Sequence, residues 1–234
     1  MPYSHPQALT REQALSRIGH LLPGAVAFAG TAGFINSIAL GVFRSPVSHM
    51  TGAVSYFGLA FAAGHSRDAI ATLSIILAFM VGAGLAGFIV GAENLAPGRL
   101  YGAALVCEGG LLVVAMVLLV SGRRFGVPLI AMACGLQNAT TSSYCGLMIR
   151  TTHVTGTVTD IGVMLGQWLR HRRIERRKLV FMVGVVAAFG AGVWMGALAD
   201  GRWGSASLAI AATGCVLAGG TIGLFPQWFA PPKR

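Results

Sequence analysis

Charge is what this chain has least of. Of its 234 residues only 10% are charged and only 7 are acidic, where an average soluble domain carries roughly 25% charged side chains. A water-facing surface cannot be covered from so small a supply, so an ordinary soluble globule is excluded. Cysteine is sparse too. Cys107, Cys134, Cys145 and Cys215 all lie in apolar runs, without CxxC or Cys/His spacing, and read as small packing residues rather than zinc ligands. The chain also lacks a Walker loop, a dinucleotide-binding glycine fingerprint, a GxSxG elbow and an HExxH motif. No enzyme class, cofactor or metal is expected from these residues.

What is present in quantity is apolar surface. Hydrophobic residues make up 55% of the chain and the mean hydropathy is +0.71. Its 33 glycines show no Gly-X-Y period and suit close helix packing in lipid. The expected fold class is all-α: a polytopic transmembrane helix bundle, with the lipid bilayer as its surroundings. The net charge of +10 would raise the question of nucleic acid in a soluble protein. Here the basic residues sit between hydrophobic runs, as membrane orientation requires, and nucleic acid is not an expected partner.

The first twenty residues are polar and basic, and the apolar run after them exceeds a signal-peptide core of about 7–15 residues. A cytoplasmic segment over 1–20, one membrane domain over 21–225 and a cytoplasmic tail over 226–234 are expected. A spanning helix needs about 20 mostly apolar residues. Stretches near 21–43, 69–91, 100–121, 127–148, 178–199 and 205–225 meet that requirement. Two more, near 46–64 and 151–169, are shorter and open on polar clusters (Ser45 to His49; Thr151 to His153). Both read as helices, which either cross or re-enter.

Eight crossings leave only Arg44, Arg99, Arg150 and Arg202 on the side opposite the other basic residues. Six crossings with two re-entrant helices move Arg67, Arg123 and Arg124 outside and Arg99 and Arg150 inside. Both arrangements hold the basic loop from Arg170 to Lys178, and both termini, in the cytoplasm of a bacterial inner membrane. The length of the two short stretches favours eight helices.

Compared with itself at a spacing of 104, the chain repeats: Ser48-His49-Met50-Thr51-Gly52 matches Thr152-His153-Val154-Thr155-Gly156. With small gaps the match reaches from Gly33 and Asn36 against Gly135 and Asn138 to FMVG at 79–82 against FMVG at 181–184. Gly87-x-x-x-Gly91 then falls against Gly192-x-x-x-Gly196. The chain therefore reads as two halves of four segments, 21–121 and 127–225. In transporters such repeats enclose the binding site, although duplication also serves simply to build a stable bundle.

The repeated blocks place His49, Thr51, His153 and Thr155 at helix starts, where free N–H groups and a positive dipole end favour polar or anionic ligands. The same serines and threonines would also serve as caps. Asn36 and Asn138 recur inside the predicted spans and either line a shared polar cavity or bond between helices. Asp160 and Glu108 are the carboxylates predicted deep in the membrane, which makes them candidate coupling residues for protons or cations, or else buried acids bonded to a neighbour.

The SHMTG block after a glycine-rich first helix, and RTTHVTGT preceded by GLQN, resemble the YoaK-like family of bacterial inner-membrane proteins, a domain of unknown function. The resemblance covers about residues 21–225 and implies the fold and the membrane location, without a substrate. The expected function is a small-molecule or ion transporter or channel with a polar site between the repeats, acting on a small polar or ionic substrate and able to form a homo-oligomer. The alternatives are a membrane sensor or assembly partner and an intramembrane enzyme.

Overall fold

The computed structural model describes residues 11–43, 46–90, 98–142, 153–172 and 174–228, and every regular element among them is helical. The order is α1 (Arg11–Phe43), α2 (Met50–Ala62), α3 (Ser66–Val90), α4 (Arg99–Val120), α5 (Gly126–Ser142), α6 (Val154–His171), α7 (Arg176–Trp203), a 3₁₀ turn (Gly204–Ser207) and α8 (Leu208–Leu224), with a final 3₁₀ turn at Pro226–Trp228. Four stretches are long and apolar enough to cross a membrane: Leu22–Phe43, Ser66–Val90, Arg99–Val120 and Arg176–Leu224, the last holding both α7 and α8.

The distribution of side chains is that of a protein dissolved in lipid. Large apolar groups point outward, with Phe88 at 89% and Phe125 at 81% exposure, while Glu108 is at 0% and Gln137 at 1%. The interior is built largely from alanine, glycine and small polar residues such as Ala29, Ala32, Asn36, Ser48 and Thr72. Water would reverse that arrangement; hydrocarbon permits it, because outward Leu and Phe cost nothing there and association relies on close packing of small residues.

Three seams hold the bundle. Along α1 and α7, a methyl group at Gly33 would collide with the Phe189 carbonyl, one at Gly192 with the Gly30 carbonyl, and one at Gly196 with the Phe34 carbonyl and the Ser37 hydroxyl. Along α3 and α5, Gly82 abuts the Met132 carbonyl and Gly135 the Phe79 carbonyl. Along α4 and α8, Gly102 meets Gly219 and Gly223, and Gly109 meets the Ala212 carbonyl.

The first two seams are built alike: Gly33 rests on Phe189 as Gly135 rests on Phe79. Phe79 and Gly82 thus correspond to Phe189 and Gly192, two helical turns beyond the FMVG at 181–184. Gly184 instead faces Leu22 and Val26, and Gly87 has nothing within 4 Å. Pairing Gly87 with Gly192 by sequence is therefore corrected: the repeat of letters is out of register with the repeat of contacts.

The seams also give chain direction. Leu22 lies by Gly184, Gly30 by Gly192 and Gly41 by Asp200, so α1 and α7 run the same way. Gly102 lies by Gly219 and Gly109 by Ala212, so α4 and α8 run in opposite directions. Phe28, near the start of the apolar part of α1 (Leu22–Phe43), sits edge-to-face on Tyr101 at the start of α4, 6.2 Å between centroids, and both cluster with Ile222 at the end of α8. Hence α4 runs with α1.

Helix α5 returns against α4, Gly126 touching the Ala115 carbonyl and the Leu119 side chain. At the other end of this pair, Leu136 clusters with Ala104 of α4 and with Ala86 and Val90 of α3. The α2–α3 turn reverses the chain at Gly64, whose φ of 71° suits the left-handed glycine of a helix C-terminus. There His65 N–H reaches the Ala60 carbonyl at 2.9 Å. Phe79 lies by Gly135, while Ala86 and Val90 further along α3 cluster with Leu136 and Ala139, so α3 runs with α5 and therefore against α1; α2 opposes α3 and so runs with α1. Eight alternating crossings would set α4 parallel to α8 and α2 against α1, and the observed directions do neither.

Candidate functional site

After α1 the chain turns back into the bundle rather than continuing away from it. Asn36, buried at 3% exposure, accepts hydrogen bonds at Oδ1 from the Val47 N–H (3.3 Å), the Ser48 N–H (3.3 Å) and the Ser48 hydroxyl (3.0 Å). Asn36 is seven residues from the end of α1 at Phe43, a depth of about 10 Å. One side chain thus satisfies two N–H groups that an extended segment would otherwise leave orphaned in an apolar interior.

His49 follows, at the cap position of α2, and no side chain caps that helix. The Ser48 hydroxyl lies 3.4 Å from His49 Nδ1. The imidazole stacks on Phe189 of α7, with ring centroids 5.0 Å apart and tilted by 40°. Gly52 is explained by the same fold-back, because a methyl group there would meet the Pro46 ring.

The second block is arranged differently. His153 occupies the cap position of α6, again without a side-chain cap, and is exposed. Gly156 leaves room for that imidazole over the first turn. Val154 packs on the cluster formed by Ala25, Ala29, Ala32, Val185 and Phe189, so both repeated blocks begin against the α1–α7 pair. No residue of α6 is buried, whereas α2 buries Ala53 and Ala60.

The structure brings Asn36, Ser48 and His49 together. Thr51 and Thr155 are exposed on the first turns of α2 and α6, and Asn138 is half-buried on α5. Thr151 and Thr152, the counterparts of Val47 and Ser48, lie outside the described residues, as does Cys145. Caps by Ser48 and Thr51 are not formed; the Ser48 hydroxyl is given to Asn36. Asp160 is exposed on α6. It shares a stripe with His153, Thr157, Gln167 and His171, spaced three and four residues apart or in multiples of that step. Glu108 is fully buried in the bundle core. Phe189 and Gln137 were not singled out from sequence. Phe189 is one phenylalanine among 12, and only the contact of α7 with α1 distinguishes it.

A family model described as "Protein of unknown function (DUF1275)" matches residues 24–221. The chain belongs to this family. The match spans both histidine blocks and most of the three seams, and agrees with the resemblance carried by SHMTG and RTTHVTGT. No curated protein matches the chain, and no solved structure does. This DUF1275 protein is thus a helical protein of membrane type. Among its described residues no three His, Cys, Asp or Glu side chains form a group able to hold a metal ion.

Proposed function

We propose that this DUF1275 protein is a small-molecule or ion transporter of inverted-repeat design, with six crossings and two half-helices, α2 and α6, that start near the bilayer midplane. The observation that carries the reading is the Asn36 tether. A broken helix held at depth by a buried asparagine is how such transporters present uncapped helix N-termini to a substrate, because irregular backbone is tolerated in a membrane only where protein or a wet cavity satisfies it. Antiparallel α4 and α8, and the matching Gly33–Phe189 and Gly135–Phe79 contacts, support two halves of opposite orientation.

The substrate site lies between the halves. Asn36, His49 and Thr51 supply it from the first, and Asn138, His153 and Thr155 from the second. Two helix N-termini with imidazoles beside them suit a small polar or anionic solute. The packed state of α2 and the exposed polar stripe of α6, with Asp160 on it, support a path open toward the basic Arg170–Lys178 loop, the side kept cytoplasmic by its charge. The stripe gives such a solute hydrogen-bonding partners along the way.

The test is uptake by proteoliposomes. A panel of small anionic and polar solutes is screened first for a rise in melting temperature of the purified protein, and those that stabilise it are then offered as transport substrates. Saturable flux that falls at least tenfold in Asn36→Ala and His49→Ala supports the proposal. Solutes that neither bind nor cross, with the protein well folded, contradict it.

A further inference from the structure

The core of the bundle holds a second polar feature, on helices other than α2 and α6. Glu108 of α4 has no exposed surface, and neither of its carboxyl oxygens has an N–H or O–H partner. The titratable groups that face it are the thiols of Cys134 from α5 and Cys215 from α8, both buried and both weak donors. Gln137, one turn beyond Cys134 on α5, is also buried with its amide unpartnered. An ionised carboxylate in that setting, without a cation or a set of N–H donors, is prohibitively costly; a neutral carboxylic acid is tolerated.

The place of Glu108 gives that neutral acid a route to water. Its neighbour Gly109 lies on the Ala212 carbonyl and the Val216 side chain, and Gly102 lies on Gly219, so at these points the α4–α8 seam is close backbone contact, with Tyr101, Leu105 and Ile222 packed beside it. Helix α4 closes the first half of the chain and α8 the second, so a movement of one half against the other would open the contact beside Glu108.

We propose that Glu108 is a proton-binding site of the α4–α5–α8 core, protonated while the α4–α8 seam is closed and releasing its proton to water when the seam opens. The step balances simply: the O–H bond of the carboxylic acid breaks, a water molecule entering the seam takes the proton, and closure requires that a proton return. The site is read without any substrate, so it stands or falls separately from the transport assignment.

Infrared spectroscopy of the full chain in bilayers, wild type against Glu108→Gln, tests the resting state. The expected result is a protonated-carboxyl band at neutral pH that the substitution removes and that shifts only slowly on transfer to heavy water. Carboxylate bands lost in its place, or a shift complete on mixing, would overturn the proposal. Reaction of the wild-type protein with a hydrophobic carbodiimide, mapped by mass spectrometry, tests opening and serves even if the variant does not fold. Slow labelling at Glu108 is expected; an unlabelled Glu108 after prolonged exposure shows a seam that stays shut and rejects the proposal.

Discussion

Asn36 and Ser48 are joined twice, through the Ser48 N–H and the Ser48 hydroxyl, both donating to the same amide oxygen. The asparagine sits within α1, and the serine belongs to the short segment that leads into α2. Their union turns a helix end into a fold-back, and from that reversal follow the direction of α2 and the position of His49 against Phe189.

The first prediction concerns that union. Asn36→Ala removes an acceptor from Val47 and Ser48 and leaves their N–H groups buried without partners, at about 1–3 kcal/mol per orphaned group. A loss of about 2–4 kcal/mol is expected in reversible unfolding in mixed micelles. Ser48→Ala removes a hydroxyl together with its hydrogen bond and should cost about 1 kcal/mol. Equal effects of the two substitutions would contradict the tether.

Glycine positions that look alike in sequence should behave differently. Gly192→Ala forces a methyl group into the Gly30 carbonyl and should destabilise by about 1–3 kcal/mol or more, as overpacking does. Gly87→Ala meets open space and should be neutral or slightly stabilising, since alanine is the better helix former by about 1 kcal/mol. Melting temperatures of the two single variants decide the matter.

The turn between α6 and α7 carries a left-handed residue that is not glycine, Arg172 with φ of 55°. Left-handed backbone costs an L-residue roughly 1 kcal/mol, which glycine avoids. Arg172→Gly should therefore raise stability by somewhat under about 1 kcal/mol, after loss of the Arg172 contact over the Trp168 ring at 5.9 Å. A fall in melting temperature would show that the arginine side chain contributes more than its backbone costs.

Much of the fold was legible because lipid imposes a coarse code: long apolar runs, interrupted by charge, become helices. The polar breaks at Ser45–His49 and Thr151–His153 were visible for the same reason. Direction was not legible, because a short helix after a polar break has the same composition whether it crosses or returns. The Asn36–Ser48 bond turns the chain back on α1, and hydrogen bonds across a gap of 12 residues leave no periodicity. Letter matching misplaced the α3–α7 correspondence, since Phe-x-x-Gly occurs at 61, 79, 88, 181 and 189 and only packing selects among them. Of the two acids singled out, Glu108 is buried and Asp160 is not: helix α6 is amphipathic but packs on little, and its exposure depends on neighbours that sequence alone does not supply.

Sidedness of two arginine positions bears most directly on the fold-back. In a background without native cysteines, the variants Arg67→Cys and Arg99→Cys are treated with a membrane-impermeant maleimide in intact and in opened cells. The Arg67→Cys variant is expected to react from outside, and the Arg99→Cys variant only once the cytoplasmic face is exposed. The opposite pattern, with Arg99→Cys labelled from outside and Arg67→Cys protected until the cells are opened, would mean that α2 crosses the bilayer and that the half-helix reading is wrong.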